Sequence, residues 1–264
     1  MENKYSMKGY IDIHSHILPG MDDGAKNMEQ TMAMLWLAVQ NQIGTIICTP
    51  HFKDGREYVG ARLEDRLSRV RSRCREEGLL IELHSGCELF YTASVCELLE
   101  QKKIPTLASS DCVLVEFSPW EQFTTMQEGL FSIKACGYRP VLAHAERYEC
   151  LRDKKERIIT LRDMDVLVQV NAGSILEVND TGKNFRGSIL RVRGKNLFGN
   201  GDKKYVRYLL DNRLIDFVAT DSHSDGKRGP YLNACAEYLK KKYGETYSSA
   251  LLGENARTEI FALK

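Results

Sequence analysis

Nine side chains in this chain have the chemistry to hold cations: His14, His16, Asp23, His51, Glu88, Glu116, His144, Asp221 and His223. Far apart in sequence, they sit at or just past the ends of apolar, strand-like runs. In the first run, Tyr10 to His16, Ile11 and Ile13 alternate with Asp12 and His14, the period of a strand. Residues two apart on a strand point the same way, so His14 and His16 can present both imidazoles to one side. Converging neutral imidazoles suit zinc, manganese or iron. A lone His-x-His pair is more often packed or exposed histidine than a ligand pair. Five of the six histidines fall in this set, however, and packing alone does not explain such clustering. The sixth, His84, lies inside its strand pattern and reads as structural.

Histidine and carboxylate without thiolate is the donor mix of hydrolytic manganese, iron or zinc sites. Carboxylates can bridge two cations, and Glu88 is the candidate bridge. Clustered cations lower the pKa of bound water and clamp the attacking and leaving oxygens of an in-line displacement. Phosphoester hydrolysis is the natural reaction. A phosphate monoester also needs cationic recognition. Arg147, three residues after His144, could grip two phosphate oxygens, and Arg228, soon after His223, could reach the same rim. For each, the plainer reading is a surface ion pair. Two other phosphate chemistries are absent: no cysteine has an arginine six positions on, and no Gly-x4-Gly-Lys-Ser/Thr loop occurs.

The elements that would carry these residues alternate. Gly44–Cys48 reads as a buried strand running into Thr49-Pro50-His51. Leu79–His84 leads to Gly86-Cys87-Glu88, Cys112–Glu116 ends on its carboxylate, and Pro140–His144 ends on its imidazole. Val166–Asn171 is a sixth strand, and Ile215–Asp221 a seventh. Helical spacing appears between them, as in Met28, Met32, Leu35 and Val39, in Leu63, Leu67, Val70 and Cys74, and in Met126, Leu130 and Ile133. A charged helix is expected over about 153–162, another around Val206, Leu209 and Leu210, and tail helices around Leu232, Cys235 and Leu239, then Ile260 and Phe261. Asp22-Asp23-Gly24 is a turn signal. Repeated strand–helix alternation predicts α/β architecture with a parallel sheet. A closed barrel is favoured over an open sheet, because only a barrel brings all strand C-termini to one rim.

The length of 264 residues fits a single barrel domain. A net charge of +1 gives no pull toward nucleic acid or anionic membrane. The uncharged stretch Gln30–Pro50 is broken by Gln40-Asn41-Gln42 and Gly44, which argues against membrane insertion. Eight scattered cysteines without a Cys-x-x-Cys pair, and a polar N-terminus, read as a cytoplasmic protein with reduced thiols. Glu177 to Asp202 holds five glycines and the cations Lys183, Arg186, Arg191, Arg193 and Lys195. It reads as a solvated loop or as a docking surface for an acidic or phosphorylated partner.

The ordered set Ile11-Asp12-Ile13-His14-Ser15-His16 through Asp22-Asp23-Gly24, Thr49-Pro50-His51, Gly86-Cys87-Glu88, Glu116-Phe117, Ala143 to Tyr148 and Ala219 to His223 resembles the polymerase-and-histidinol-phosphatase (PHP) superfamily. Within it, the chain is most similar to the bacterial metal-dependent protein-tyrosine phosphatases of capsule and exopolysaccharide operons. The resemblance covers nearly the whole chain. It implies a distorted seven-stranded (β/α)7 TIM-like barrel in one domain over residues 1–264. It also implies three divalent metal ions, often manganese. His14, His16, Glu88 and Asp221 would hold one ion, and Glu88, Glu116 and His144 a second. Asp23, His51 and His223 would hold the third, with Asp22 the fallback. Arg147 matches the family's phosphate-binding arginine. Arg228 matches a second one loosely, since Lys227 occupies the position reached without a gap. The implied substrate is the phosphorylated tyrosine-rich tail of a bacterial tyrosine kinase. Cys87 and Ala145 depart from the usual residues, and the basic stretch before the seventh strand is longer than usual.

The leading expectation is thus a protein-tyrosine phosphatase. Phenol, with a pKa near ~10, leaves without a strong acid. A histidinol-phosphate phosphatase, or another small phosphomonoester phosphatase, would have to protonate an alkyl leaving group, with Glu146 or a metal-bound water as donor. A non-catalytic module that binds phosphorylated partners is the alternative of another class. Metal identity in the cell and oligomeric state, including a homo-oligomer, are left open.

Overall fold

A computed structural model describes residues 9–52, 59–179 and 203–262. Nine strands appear among them. They are β1 (Tyr10–Ser15), β2 (Ile43–Cys48), β3 (His51–Phe52), β4 (Glu82–Ser85), β5 (Glu88–Phe90), β6 (Cys112–Glu116), β7 (Arg139–Leu142), β8 (Leu167–Asn171) and β9 (Phe217–Ala219). All pairings are parallel, in two ladders, β1-β2-β4 and β3-β5-β6-β7-β8-β9. The expected α/β class and parallel sheet are present. The strand count differs from the expected seven, because two short strands, β3 and β5, follow β2 and β4 after an interruption. Thr49-Pro50 separates β2 from β3, and proline has no N–H to give a ladder. Gly86-Cys87 separates β4 from β5. A Cβ on Gly86 would lie 2.8 Å from Ile47 Cγ2, so the chains approach too closely there for a side chain. Past the break, the Glu88 N–H donates to Pro50 O at 3.1 Å and starts the second ladder.

The sheet curls until its ends meet. Asp221 N donates to His14 O at 2.8 Å, and His16 N to Ser222 O at 2.9 Å. Asp12, fully buried in β1, accepts from Thr220 N (2.9 Å) and Thr220 Oγ1 (2.5 Å). Burial raises its carboxyl to about 6, and these hydrogen bonds resist that rise.

The strands are apolar on both faces, as a parallel sheet covered by helices requires. Ile11, Ile13, Ile47, Leu114, Val141 and Phe217 form an inner cluster. Alternate residues, such as Val113, Val115, Val168 and Val218, join the larger cluster with Leu35, Leu67, Leu130 and Leu161 of the helices. His84 packs edge-on against Phe261, with ring centroids 4.9 Å apart. Burial lowers its pKa, in keeping with a structural imidazole. The charged helix expected over 153–162 is divided into Glu149–Asp153 and Arg157–Asp163, because Lys154 leaves helical geometry (φ −133°, ψ 90°). The Ile260-Phe261 pair follows the last helix, Asn255–Glu259. Nearly all of the basic stretch between Glu177 and Asp202 lies outside the described residues. No helix among the described residues is long and apolar enough to cross a membrane.

Candidate metal centre

All nine expected ligands come together at the C-terminal ends of the strands. His14, His16 and Asp221 offer ligand atoms within 4.8 Å of one another; so do His16, Asp23, His51 and His223, and so do His51, Glu88 and Glu116. Glu88 lies between these groups. Its Oε1 is 3.3 Å from His14 Nε2 and 2.7 Å from His144 Nε2, and its Oε2 is 3.2 Å from His16 Nε2 and 2.9 Å from His51 Nδ1. His144 Nε2 is also 3.5 Å from Glu116 Oε1. The ligands share the rim for a local reason. β6 alternates Cys112, Leu114 and Glu116, so the inward parity of the strand delivers the carboxylate to its mouth. His144 and Asp221 instead leave their strands with positive φ (32° and 52°), a conformation costly for such residues and concentrated at functional sites.

The outer nitrogens of three imidazoles are committed. His14 Nδ1 donates to Gln169 Oε1 (3.1 Å), His16 Nδ1 to Asp22 Oδ2 (2.7 Å) and His223 Nδ1 to the Asp221 carbonyl (2.9 Å). Their Nε2 atoms therefore face inward, and those of His14 and His16 stand 3.2 Å apart. Two acceptor nitrogens at that distance need a positive charge between them. Glu116 Oε2 and His144 Nδ1 are buried with no hydrogen-bond partner, and the contact between Glu88 Oε2 and His51 Nδ1, though 2.9 Å long, lacks hydrogen-bond geometry. Buried polar atoms are rarely left so. A few protons cannot satisfy this ring of oxygens and imidazoles, whereas divalent cations of the zinc or manganese type fit it.

The site is electrostatically tense. Burial opposes ionisation of Asp221, but His14, Arg147 and His16 hold it well below the usual carboxylate range. Burial is likewise outweighed at Glu88 by His14, His144 and His16, which hold its carboxyl well down. His16 is raised well above the ordinary histidine value, since Asp22, Asp221 and Glu88 overcome its burial. His144 is raised to about 9, with burial and Arg147 opposing and Glu116 and Glu88 prevailing. Burial and the neighbouring His16 lower His223 to about 4. The expected ligand His144 therefore carries a proton at neutral pH that a metal would have to displace. Apparent metal affinity should rise with pH through neutrality as the His144 and His16 imidazoles lose their protons. Calorimetric titrations at pH 7.5 in buffers of different ionisation enthalpy should show net proton release on binding; proton uptake would contradict the assignment.

Asp22 and Asp23 divide their labour. Asp22 is spent on His16 Nδ1, on His51 N (3.0 Å) and, through Oδ1, on Gly24 N (2.9 Å). Asp23, 68% exposed on its side chain, faces His51 Nε2 (3.4 Å) and His223 Nε2 (3.6 Å). Asp22 thus orients ligands, and the expected Asp23 stands among them. Gly24 makes this turn possible, since a Cβ there would lie 2.0 Å from His16 O. Gly24→Ala should destabilise the protein by about 1–3 kcal/mol through overpacking, measured by chemical denaturation.

Arg147 reaches the cluster, its Nη2 2.5 Å from Asp221 Oδ2. Arg228 reaches it too, with Nη2 3.2 Å from Asp221 Oδ1. A tight turn explains this, as Arg228 O accepts from His223 N (2.8 Å) and Ser224 N (3.2 Å). Lys227 is exposed. Glu146 is not brought to the cluster. It is fully buried, and its Oε1 accepts from Asn171 N (3.1 Å) and Ser174 Oγ (2.7 Å) at the start of the helix Ala172–Asn179. Backbone and hydroxyl thus occupy its Oε1, while its Oε2 is buried with no hydrogen-bond partner.

Sequence reasoning missed Gln169 and Asn171. Gln169 Oε1 accepts from His144 N (2.8 Å) as well as from His14, Gln169 Nε2 donates to Asn171 Oδ1 (2.8 Å), and Asn171 Nδ2 to Asp221 Oδ2 (2.9 Å). The signal was present: two amides, two residues apart, on one face of an otherwise apolar strand.

The chain is 32% identical to the tyrosine-protein phosphatase CpsB of Streptococcus pneumoniae over 251 residues, 95% of this chain and 98% of that protein. It is 29% identical to the tyrosine-protein phosphatase YwqE of Bacillus subtilis over 248 residues, covering 93% and 89%. Its fold matches a crystal structure from work on YwqE and CpsB, described as unique metal-dependent tyrosine phosphatases. That match has a TM-score of 0.77 and 26% identity over 90% of this chain and 89% of the other. Residues 10–261 match the family model described as capsular polysaccharide synthesis, CpsB/CapC. A match over nearly the whole length, with every expected ligand at one rim, places the chain in the CpsB/CapC family.

Proposed function

We propose that this protein is a metal-dependent protein-tyrosine phosphatase acting on phosphotyrosine, with the tail of a bacterial tyrosine kinase that controls capsular or extracellular polysaccharide synthesis as its substrate. The observation that carries the reading is the convergence of nine ligand groups with the Arg147 guanidinium at their edge. The relatives named as tyrosine-protein phosphatases supply the substrate class. We read the two ladders as one distorted barrel of seven staves in a single domain, β2 with β3 and β4 with β5 each counting once, on the strength of the seam between β1 and the end of β9.

Three divalent ions, manganese first and iron or zinc as alternatives, would be held by the three ligand groups, Glu88 serving more than one. Bound there, they supply Lewis-acid polarisation and a water acidic enough to react at neutral pH. The chain's own residues do the rest. Arg147, anchored on Asp221, grips phosphate oxygens, and Arg228 adds a second positive charge on the same carboxylate. Asp22, Gln169 and Asn171 hold the ligands in place. Glu146 Oε1 is spent on Asn171 N and Ser174 Oγ, which leaves this residue poorly placed to serve the leaving oxygen. This favours a phenolate, which needs no such acid, over the alkoxide of a histidinol-phosphate reaction. The protein would work in the cytoplasm.

Purified protein with manganese added should hydrolyse a phosphotyrosine peptide far faster than histidinol phosphate. The opposite preference would favour the small-substrate reading. Metal binding with every phosphoester left intact would favour a binding module.

A further inference from the structure

We infer that Gln169 and Asn171 form an amide relay that fixes which nitrogen of His14 is offered to a cation, and that Gln169 ties the His14 and His144 ligand positions together. The inference rests on the metal reading above.

The relay has a direction that both ends impose. At one end, the backbone N–H of His144 can only donate, and it lies 2.8 Å from Gln169 Oε1. Gln169 must therefore turn its oxygen that way and its NH2 toward Asn171 Oδ1. At the other end, ionised Asp221 can only accept, so Asn171 must turn its NH2 to Asp221 Oδ2 and its oxygen back to Gln169. Neither amide can flip without setting oxygen against oxygen or N–H against N–H. The two constraints agree, and all three bonds of the chain are between 2.8 and 2.9 Å.

The consequence falls on His14. The second lone pair of Gln169 Oε1 is 3.1 Å from His14 Nδ1. An oxygen held there accepts only from a protonated Nδ1, which leaves the lone pair of Nε2 turned toward the site, 3.6 Å from Asp221 Oδ1. The relay thus closes on itself, running from Asp221 through Asn171 and Gln169 to His14, which faces Asp221 again. One oxygen also holds the left-handed backbone of His144, whose ring lies against Glu88 and Glu116. Gln169 is a positioning residue that spans two ligand groups. Such outer partners of metal-bound histidine typically carry about 10–100-fold in affinity.

The test compares full-length wild type with Gln169→Met, which keeps volume but has no strong acceptor, and Gln169→Glu, which keeps the acceptor for both N–H groups but sets its second oxygen against Asn171 Oδ1 and so cuts the link to Asn171. Zinc or manganese is titrated into each, and affinity and stoichiometry are read directly. Gln169→Met should lose about 10–100-fold in affinity for at least one ion, and Gln169→Glu, which restores the acceptor for His14 and His144 but not the bond to Asn171, should recover part of that loss. In nitrogen–proton spectra of zinc-loaded protein, wild type and Gln169→Glu should show a slowly exchanging proton on His14 Nδ1, and Gln169→Met should not. A purely structural role would lower the melting temperature of Gln169→Met without changing affinity or the His14 proton, and would overturn the inference. Equal metal loss in both variants would overturn it as well; should Gln169→Met fail to fold, absence of the slowly exchanging His14 Nδ1 proton in Gln169→Glu would overturn it. Wild type that binds neither metal would instead sink the metal reading itself.

Discussion

Glu88→Gln should lose at least one metal ion per chain and about 10³-fold or more in turnover on an aryl phosphate. The change is isosteric and removes only charge, so the expected effect comes from the role of Glu88 at the centre. Its two oxygens lie within 3.3 Å of nitrogens on four histidines from three different strand ends. An amide would turn an N–H toward imidazole nitrogens that need an anion or a cation beside them. Losing a bridging carboxylate costs several kcal/mol of cation binding and of transition-state stabilisation, and each 1.36 kcal/mol is about tenfold in rate. Glu116→Gln is the control. Glu116 is part-exposed and lies 3.5 Å from His144 and 3.8 Å from His51, so its loss should be smaller. Elemental analysis beside a steady-state assay checks both. Full metal content in Glu88→Gln would show that Glu88 is not a bridge.

Arg147→Ala should keep its metals and lose about 10²–10³-fold in kcat, the usual cost of removing one positioned donor from a developing anion. Metal should stay because Asp221 keeps Asn171 at 2.9 Å and Arg228 at 3.2 Å after the guanidinium is gone. Arg147→Lys should fall between the two, since lysine restores charge but not the planar fork. Should metal leave with Arg147, its main task would be to hold Asp221 in place, and phosphate recognition would pass to Arg228.

Much of the site could be read from residue types at strand ends. His14 with His16, Glu116, His144 and Asp221 each close an apolar run, and strand parity is a short-range property that a sequence carries. The parallel α/β class follows from the same alternation, because strands apolar on both faces demand helices on the outside. Local sequence could not say where strands would break. The interruptions at Thr49-Pro50 and Gly86-Cys87 depend on how closely β2, β4 and their neighbours approach, a long-range matter. Glu146 shows the same limit: it sits beside Arg147 in sequence, yet the turn sends one side chain to Asp221 and the other to Asn171 and Ser174.

The chain by itself determined the inventory, namely which donors exist, that they cap strands, and that thiolate chemistry is not theirs. Tertiary structure decided the assignment of partners: that Asp22 orients while Asp23 faces the histidines, that Arg228 and not Lys227 turns back to Asp221, and that Gln169 holds His14 and His144 at once. The reason is physical. Residue type and strand period are fixed by covalent order, but a hydrogen bond between residues 155 positions apart exists only once the sheet has curled and its two ends have met.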